Sequence, residues 1–366
     1  MSRYIVRRPY TNMPEYNQTG LSTYYASACR ECPAGCGILV RTKEGRAITI
    51  EGNPNHPVNH GRLCSRGLTA KQGLYNPDRV RGPVFQARGD AARARAVTWD
   101  ESINVVSDAL NSPPGQIAFL MGLAPDHLYD LASDLAAGLG APPPVRYNAL
   151  ASFEGRATLV EAASRVFGSP ALPYFDLASA EVAFSFGANF LENWLSPVTY
   201  SQAYGHFRQG RPTRRGYLVA FEPRQSLTAG NADEWIPIRP GSEAILVMAF
   251  NRLVAEARGL PVSAAASTVS ISAAASASGV SEEKIRQLAA LFAGSAHALA
   301  IPGGTALGQK DGLLTAQAVL QLNALAGNLG QPGGVFLTTS EPAPSSLEAV
   351  KDLVRRMADS KVKVLF

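Results

Sequence analysis

The chain contains four cysteines, and all of them lie between positions 29 and 64. Three are close together in the pattern Cys29-x2-Cys32-x3-Cys36, and the fourth, Cys64, is remote. The 302 residues after Cys64 contain none. This distribution excludes a secreted fold that is stapled by disulfides. It also excludes a cysteine nucleophile or a cysteine metal ligand in the larger part of the chain.

The spacing of these cysteines predicts a [4Fe-4S] cluster. A cubane cluster needs four thiolates that converge on a compact core, and three close ligands plus one remote ligand supply them. Gly35 and Gly37 allow the backbone to approach the sulfurs and donate amide hydrogen bonds to them. The alternatives are a four-cysteine zinc site, which more usually pairs two Cys-x2-Cys knuckles, and a structural quartet without a metal.

Composition and charge exclude several classes of protein for this chain. The 366 residues are 46% hydrophobic and 17% charged, which fits a packed protein of two or three domains and excludes wholesale disorder. The net charge of +5 is mild, so we expect no nucleic-acid partner. No run of eighteen apolar residues exists, so we expect no membrane span. Arg7 and Arg8 precede a polar segment, so we expect no export signal in this chain.

Two kinds of pattern follow each other along the sequence. Alternating runs at 38–42 and 47–51 flank a Gly-containing turn and predict a β-hairpin. After residue 98, short apolar runs alternate with helix-like segments, which is typical of parallel sheets covered on both faces. The last of these runs ends at Phe366, so we expect the chain to be truncated or split. The predicted strands of this second part are 116–120, 181–186, 217–221, 296–301 and 361–365.

Seven segments of the chain, in order, carry a resemblance to a known family. They are 24–37, 51–59, 61–67, 75–79, 98–101, 221–229 and 232–243. Together they resemble the molybdopterin-guanine-dinucleotide oxidoreductases. The resemblance implies an α/β fold in which a small β-rich iron–sulfur domain is followed by doubly wound parallel-sheet domains, incomplete at the C-terminus. The implied division is an extended arm at 1–22, the iron–sulfur domain at 23–85, an α/β domain at 86–146 plus 297–366, and an inserted Rossmann-like domain at 147–296.

The resemblance also implies functional residues. Arg66, beside the fourth cysteine, would lie between the cluster and a pterin on the path of electron transfer, and the alternative is an ordinary surface arginine. Glu222 and Glu243 stand where the family usually has aspartates that contact the nucleotide, and the extra methylene displaces each carboxylate by about a bond length. For Arg224, Asp233 and Arg239, structural ion pairs are the alternative to nucleotide contacts. The candidate cofactor-binding residues, if a pterin dinucleotide is bound, are Gly187, Asn189, Glu222, Arg224, Asp233, Gly241 and Glu243.

The metal ligand of active relatives has no clear counterpart. Its position falls near Ser152, where no cysteine is present, and a serine near a helix start is more often a cap. We therefore name no catalytic residue, with Ser152 as a weak candidate for a molybdenum or tungsten ligand.

An intact cysteine quartet beside a degraded pterin site resembles the cofactor-less large subunits of quinol-oxidising complexes, the alternative complex III group. That likeness implies an electron-transfer and scaffold subunit on the periplasmic side of a bacterial membrane. Its partners would be other iron–sulfur, haem and membrane-embedded quinone-binding subunits. The alternative is a fragment of a catalytic bis-pterin molybdenum or tungsten oxidoreductase that binds molybdopterin guanine dinucleotide.

Overall fold

The computed structural model describes residues 20–87, 93–122, 124, 126–148, 154–209, 215–338 and 345–366. The chain divides into two compact units, of which the first comprises Met1–Asn148 and Ser345–Phe366 and the second Ala149–Pro344. Within the described ranges, no helix combines the length and the apolar character needed to cross a lipid bilayer.

A three-stranded antiparallel sheet opens the first unit. Its strands are β1 (Ser22–Ala28), β2 (Gly37–Lys43) and β3 (Arg46–Gly52), in that order across the sheet. Glu44 and Gly45 connect β2 to β3 at positive φ angles of 51° and 75°, as a tight hairpin turn requires. The predicted hairpin is therefore confirmed.

Two short helices follow the fourth cysteine. They are α1 (Ser65–Thr69) and α2 (Lys71–Tyr75). The second helix is attached to the start of β3, because Lys71 Nζ donates to the carbonyl of Ile48 and Tyr75 Oη donates to the carbonyl of Ala47 at 2.9 Å.

The remainder of the first unit before residue 148 consists of short strands and two longer helices. The first longer helix begins at Thr98, whose hydroxyl accepts a hydrogen bond from the amide of Glu101 at 3.1 Å as an N-cap. The elements are β4 (Val84–Phe85), β5 (Arg95–Ala96), α3 (Trp99–Leu110), β6 (Ile117–Ala118), β7 (Leu120–Met121), α4 (Asp126–Gly138) and β8 (Val145–Arg146).

The second unit is organised around a four-stranded parallel sheet. Its strand order is β12-β11-β10-β13, and a separate antiparallel pair joins β9 to β14. The strands are β9 (Pro173–Phe175), β10 (Val182–Phe186), β11 (Tyr217–Phe221), β12 (Glu234–Ile236), β13 (Ala298–Pro302) and β14 (Val335–Leu337).

Helices cover both faces of this sheet, because successive strand residues point to opposite sides. On one face Phe184 contacts the rings of Phe221 and Phe292 at 5.4 and 5.0 Å. On the other face Leu218 and Leu299 pack in a second buried cluster. The predicted α/β class is confirmed. The helices are α5 (Arg156–Phe167), α6 (Pro197–Arg208), α7 (Leu227–Gly230), α8 (Glu243–Ala257), α9 (Ala264–Ser267), α10 (Ile271–Ser278), α11 (Glu282–Gly294) and α12 (Gly312–Ala326).

The division between the α/β domains differs from the predicted one. The sequence placed residues 297–366 with 86–146, but β13 pairs in parallel with β10, with Val182 opposite Ala298. Residues 297–344 therefore belong to the second unit, and the chain returns to the first unit at Ser345. A continuously apolar strand carries no mark of which sheet it joins, so the sequence could not place this boundary.

The returning segment completes a strand pair of the first unit. It contains α13 (Leu347–Ala358) and β15 (Val364–Leu365), and β15 pairs in parallel with β6. Phe366 stacks on Phe119 with ring centroids 5.2 Å apart. Segments that are more than two hundred residues apart in the sequence thus share one sheet.

Candidate functional site

The structure gathers the four cysteines at one end of the antiparallel sheet. Cys29 follows β1, Cys36 precedes β2, and the amide of Cys29 donates to the carbonyl of Cys36 at 2.7 Å. Cys64 is the residue before α1. Cys29 and Cys36 are buried, whereas Cys32 and Cys64 are half-buried, and all four are free thiols.

The four thiols share one electrostatic environment. Burial raises the pKa of Cys36 to about 11, and the neighbouring Cys32, Cys29 and Cys64 add to the effect. Burial likewise raises the pKa of Cys29, with Cys32 and Cys64 contributing in the same direction. Because Cys32 and Cys64 raise the pKa of both buried thiols, the four cysteines lie near one another and form one site. A metal centre would compensate the charge of the four thiolates, and its binding would release their protons.

The donor set and its spacing fit a cluster better than a single ion. Within the described ranges, no three histidine, cysteine, aspartate or glutamate side chains lie close enough together to hold one metal ion. Three close cysteines and one remote cysteine are typical of a cluster, whereas zinc sites more usually pair two Cys-x2-Cys knuckles. The residues that would hold the cluster are Cys29, Cys32, Cys36 and Cys64.

Asn59 joins the two halves of the cysteine site, and the sequence did not indicate this role. It is fully buried, its Oδ1 accepts from the amide of Gly37 at 2.9 Å, and its Nδ2 donates to the carbonyl of Gly37 at 2.9 Å. The same Nδ2 donates to the carbonyl of Arg62 at 2.7 Å. Gly37 follows Cys36 and Arg62 lies two residues before Cys64, so one side chain sets the distance between the close and the remote ligands.

Gly37 must be glycine for a local reason. A Cβ atom at this position would lie 2.3 Å from the imidazole ring of His56, which packs directly on the backbone there. His56 and Asn59 thus hold the turn that leads to Cys64 against the loop that carries the other three cysteines. The family-like turn at 53–59 has this packing role in the structure.

Arg66 lies in the first turn of α1 and is half-buried. Among the described residues it forms no ion pair, so its guanidinium charge is not neutralised within that part of the chain. Its role in electron transfer stays a prediction.

Most of the predicted dinucleotide residues meet at the carboxyl end of the parallel sheet. The amide of Gly187 donates to the carbonyl of Phe221, which fixes the loop after β10 beside the loop after β11. The amide of Gly303 donates to the carbonyl of Phe186, so the loop after β13 also lies beside the loop after β10. A Cβ at Gly187 would lie 2.9 Å from the carbonyl oxygen of Gly303, so these loops pack directly on each other. The predicted residues at this end of the sheet are Gly187, Asn189, Glu222, Arg224, Gly241 and Glu243.

Asp233 is not part of that group. It precedes β12, and its Oδ2 accepts from the amide of Leu218 at 2.8 Å, near the amino end of β11. The same oxygen is 2.6 Å from Nη1 of Arg208. Asp233 therefore stands at the opposite end of the strands from Glu222 and forms a structural ion pair, the alternative that the sequence left open.

The two glutamates at the carboxyl end are engaged by the chain itself. Glu222 is 5% exposed and accepts from the hydroxyl of Ser226 at 2.8 Å. Glu243 is 2% exposed and lies 3.5 Å from the amide nitrogen of Gln309. Burial raises the pKa of both carboxyls. Each carboxylate has one side-chain donor from the chain itself, so both keep acceptor capacity, and their contacts to a nucleotide stay a prediction.

Among the predicted residues at the carboxyl end of the sheet, Asn189 has an atom that could contact a ligand. It is 7% exposed, and its Oδ1 has no hydrogen-bond partner among the described residues. Its Nδ2 donates to Glu192 Oε2 at 3.4 Å. An unpaired buried acceptor of this kind is costly unless a donor from a ligand or water reaches it.

Glu192 is a member of this edge that the sequence reasoning missed. Its Oε1 accepts from the amide of Leu227 at 2.7 Å, and its Oε2 lies 3.5 Å from Arg224. Burial raises its pKa, but these donors together with Asn189 outweigh burial and hold the pKa below its usual range. Its position three residues after Asn189 in the same loop was the available signal. Ser152, the weak candidate metal ligand, lies outside the described residues, as do residues 1–19 of the predicted arm.

Comparison with known families matches nearly the whole chain. The Molybdopterin oxidoreductase Fe4S4 domain matches residues 22–76, and Molybdopterin oxidoreductase matches residues 80–362. The first of these ranges contains all four cysteines, and the second contains both α/β parts.

Individual relatives show the same likeness over part of their own length. The menaquinone reductase, molybdopterin-binding-like subunit of Nitratidesulfovibrio vulgaris is 28% identical over 331 residues, which are 87% of this chain and 46% of that protein. The thiosulfate reductase molybdopterin-containing subunit PhsA of Salmonella typhimurium is 25% identical over 340 residues, 87% of this chain and 43% of that protein. The chain thus spans less than half the length of these relatives.

A solved structure supports the fold. Acetylene hydratase from Pelobacter acetylenicus superposes with a TM-score of 0.65 over 85% of this chain and 44% of its own, at 17% identity. At that identity the likeness concerns the fold alone.

Proposed function

The chain belongs to the molybdopterin oxidoreductase family, and from this membership we propose that it is an electron-transfer and scaffold subunit of a quinol or quinone oxidoreductase complex. The observation that carries the proposal is the cysteine site, in which four free thiols influence one another electrostatically and Asn59 holds their two loops together. In this proposal the site binds one [4Fe-4S] cluster, which accepts and donates single electrons.

The second unit supports a scaffold role. Its parallel sheet keeps the family fold, but Glu222 and Glu243 are buried and bonded to the chain's own side chains. The scaffold and electron-transfer role is therefore proposed first, and substrate turnover at a molybdenum centre second. The quinone connection rests on the likeness to the menaquinone reductase subunit, and the proposed place is as an extrinsic subunit on the periplasmic side of a bacterial membrane.

A second candidate function is catalysis with a bis-pterin molybdenum or tungsten cofactor. The unpaired Oδ1 of Asn189 favours it, because a nucleotide amino group would satisfy that oxygen. In that case Asn189 and the backbone around Gly187 would bind the dinucleotide, and the cofactor would supply the oxidation–reduction chemistry at its metal.

Metal analysis separates these functions. The chain is purified under anaerobic conditions, and iron, acid-labile sulfide, molybdenum, tungsten and zinc are measured per chain. About four irons and four sulfides without molybdenum or tungsten support the electron-transfer role. Stoichiometric molybdenum or tungsten with a bound pterin would support catalysis instead, and zinc without iron would contradict both functions.

A matched pair of variants tests which residues hold the cluster. Cys64→Ala removes the remote thiolate, and we expect the visible absorbance and the electron paramagnetic resonance signal of the reduced protein to disappear. Ser65→Ala changes the adjacent residue and should keep both signals. A full cluster in Cys64→Ala would contradict the assignment of the fourth ligand.

A further inference from the structure

The positive charge of the chain is concentrated in the cysteine-bearing part. Residues 20–87 contain nine Lys and Arg against four Asp and Glu. The remaining 298 residues contain 25 of each, so the whole net charge of +5 resides in these 68 residues. Residues 1–19 and 88–96 each carry a further excess of two positive charges, so the excess belongs to the N-terminal part of the chain. A concentrated positive field attracts negatively charged partners and increases the rate of their encounter.

Part of this charge faces solvent without neutralisation at the tip of the β2–β3 hairpin. Lys43 and Arg46 are exposed and stand opposite each other across the turn. Among the described residues neither forms an ion pair, and no side-chain hydrogen bond holds either of them. Their charges are thus available to a partner.

Exposed apolar groups lie beside these charges. Tyr75 Oη donates to the carbonyl of Ala47, the residue after Arg46, which places α2 against the hairpin tip. Leu74 and Tyr75 are each 52% exposed, and Ile48 is 37% exposed. An open depression of about 470 Å³ lies along α2. Large exposed apolar groups beside charged ones are typical of a protein interface. We call this the hairpin–α2 surface; its residues are Lys43, Arg46, Ile48, Lys71, Leu74 and Tyr75.

The α2 part of this surface is connected to the cysteine site by a short stretch of helix, whereas Lys43 and Arg46 lie at the other end of β2 from Cys36, ~20 Å along the strand. The first helix after the cysteines, α1, starts directly after Cys64, and α2 follows it with only Ala70 between them. Lys71 is seven residues from Cys64, which is ~10 Å of helix. Cys64 is also one of the two half-buried thiols, so the cluster is less shielded on its side.

Resting on the proposed electron-transfer role, we propose that the hairpin–α2 surface docks an acidic electron-transfer protein or subunit. Lys43, Arg46 and Lys71 attract its acidic face, and Leu74 and Tyr75 supply the apolar contact. In the docked pair one electron passes between the partner's redox centre and the cluster. One centre is oxidised as the other is reduced, and no bond is made or broken.

The test uses an acidic [2Fe–2S] ferredoxin as the probe. The ferredoxin is reduced, mixed with the cluster-loaded chain in a stopped-flow instrument, and the second-order rate of cluster reduction is measured at increasing salt. We expect the rate to fall with ionic strength, because salt screens exposed charges. Lys43→Glu/Arg46→Glu should lower the rate at low salt by about tenfold or more and flatten its salt dependence.

A control with the same change in net charge is available in the other unit. Arg286→Glu/Lys310→Glu reverses two exposed charges outside the surface and should leave the rate within about twofold of the unmodified chain. An equal loss in both double variants would overturn the proposal, since net charge alone would then explain the effect. An unchanged rate in Lys43→Glu/Arg46→Glu would overturn it as well.

Two further measurements distinguish the docking of a protein from a chain without a cluster and from a membrane-binding surface. Iron content is measured first, and an iron-free chain would refute the electron-transfer role together with the docking surface. A loaded cluster with an insensitive rate would refute the surface alone. Vesicles of phosphatidylglycerol are tested in parallel, and charge reversal that abolishes vesicle binding while ferredoxin kinetics stay unchanged would assign the surface to a membrane and overturn the protein-docking proposal.

Discussion

Asn59→Ala should weaken the cysteine site although it leaves all four cysteines intact. The side chain makes three hydrogen bonds of 2.7 to 2.9 Å and is fully buried. Each bond contributes about 1 kcal/mol net, and the loss also leaves the buried amide of Gly37 without its acceptor. We expect the loop holding the first three cysteines and the turn before Cys64 to lose about 3 kcal/mol of mutual stabilisation.

The assay follows release of the cluster rather than activity. A loss of that size raises the population of the open site by about a hundredfold. When opening limits the process, iron transfer to an excess of chelator should accelerate by a similar factor. The visible absorbance of the cluster reports the loss over time, and chemical denaturation followed by the same signal should show an earlier midpoint.

Asn55→Ala is the matched control, because it removes the same side chain from the same turn at an exposed position. We expect it to change stability by less than about 0.5 kcal/mol. Asn59→Asp keeps the acceptor for Gly37 but loses the donations to two carbonyls, so it should release iron no more slowly than Asn59→Ala. Equal release rates for Asn55→Ala and Asn59→Ala would refute the reasoning.

Three further predictions concern packing and charge. Gly52→Ala would place its Cβ 2.3 Å from a facing backbone carbonyl, so we expect a loss of about 3 kcal/mol or more by denaturation, whereas Gly73→Ala, with open space around it, should be neutral. Arg208→Ala leaves the partly buried Asp233 without its 2.6 Å partner and should destabilise the second unit while iron content stays unchanged. Glu222→Gln should stabilise the protein at neutral pH, because burial raises the pKa of Glu222 and its ionised form opposes folding. That gain should shrink as the pH falls through the raised pKa and vanish below about pH 4, where the carboxyl is protonated in both states. Denaturation midpoints at several pH values check it, and a gain that grows towards acid would contradict the assigned direction.

The cysteine site and the parallel sheets were predictable for different reasons. The chain has only four cysteines, and their spacing can be read directly from the sequence. The grouping of Cys29, Cys32, Cys36 and Cys64 could therefore be inferred before any fold was known. The strands of the second unit were predictable as elements because buried parallel strands are continuously apolar. Their partners were not, and β13 was placed in the wrong unit for that reason.

At the carboxyl end of the parallel sheet, the type of a residue does not by itself show what its side chain contacts. Asp233 and Glu222 look equivalent as acidic residues beside strands, but the register places them at opposite ends of the sheet. Whether a glutamate faces a ligand or the chain itself depends on its neighbours, such as Ser226 and Gln309, which no spacing rule brings into view. Glu192 was missed because two of its three donors, Arg224 and the amide of Leu227, lie in the segment after β11 and not in its own loop.

The sequence by itself determined the kinds of chemistry and of secondary structure that this chain can have: one thiolate quartet, a hairpin, and strands buried on both faces. These follow from local rules of ligand spacing, turn geometry and hydrophobic period. Only the tertiary structure decided which parts act together. Asn59 joins two cysteine loops, β13 forms an edge of the sheet of the second unit, and the charges of Lys43 and Arg46 lie beside α2. Contacts between residues distant in the chain depend on the packing of the whole fold, and that packing is not written in any one segment.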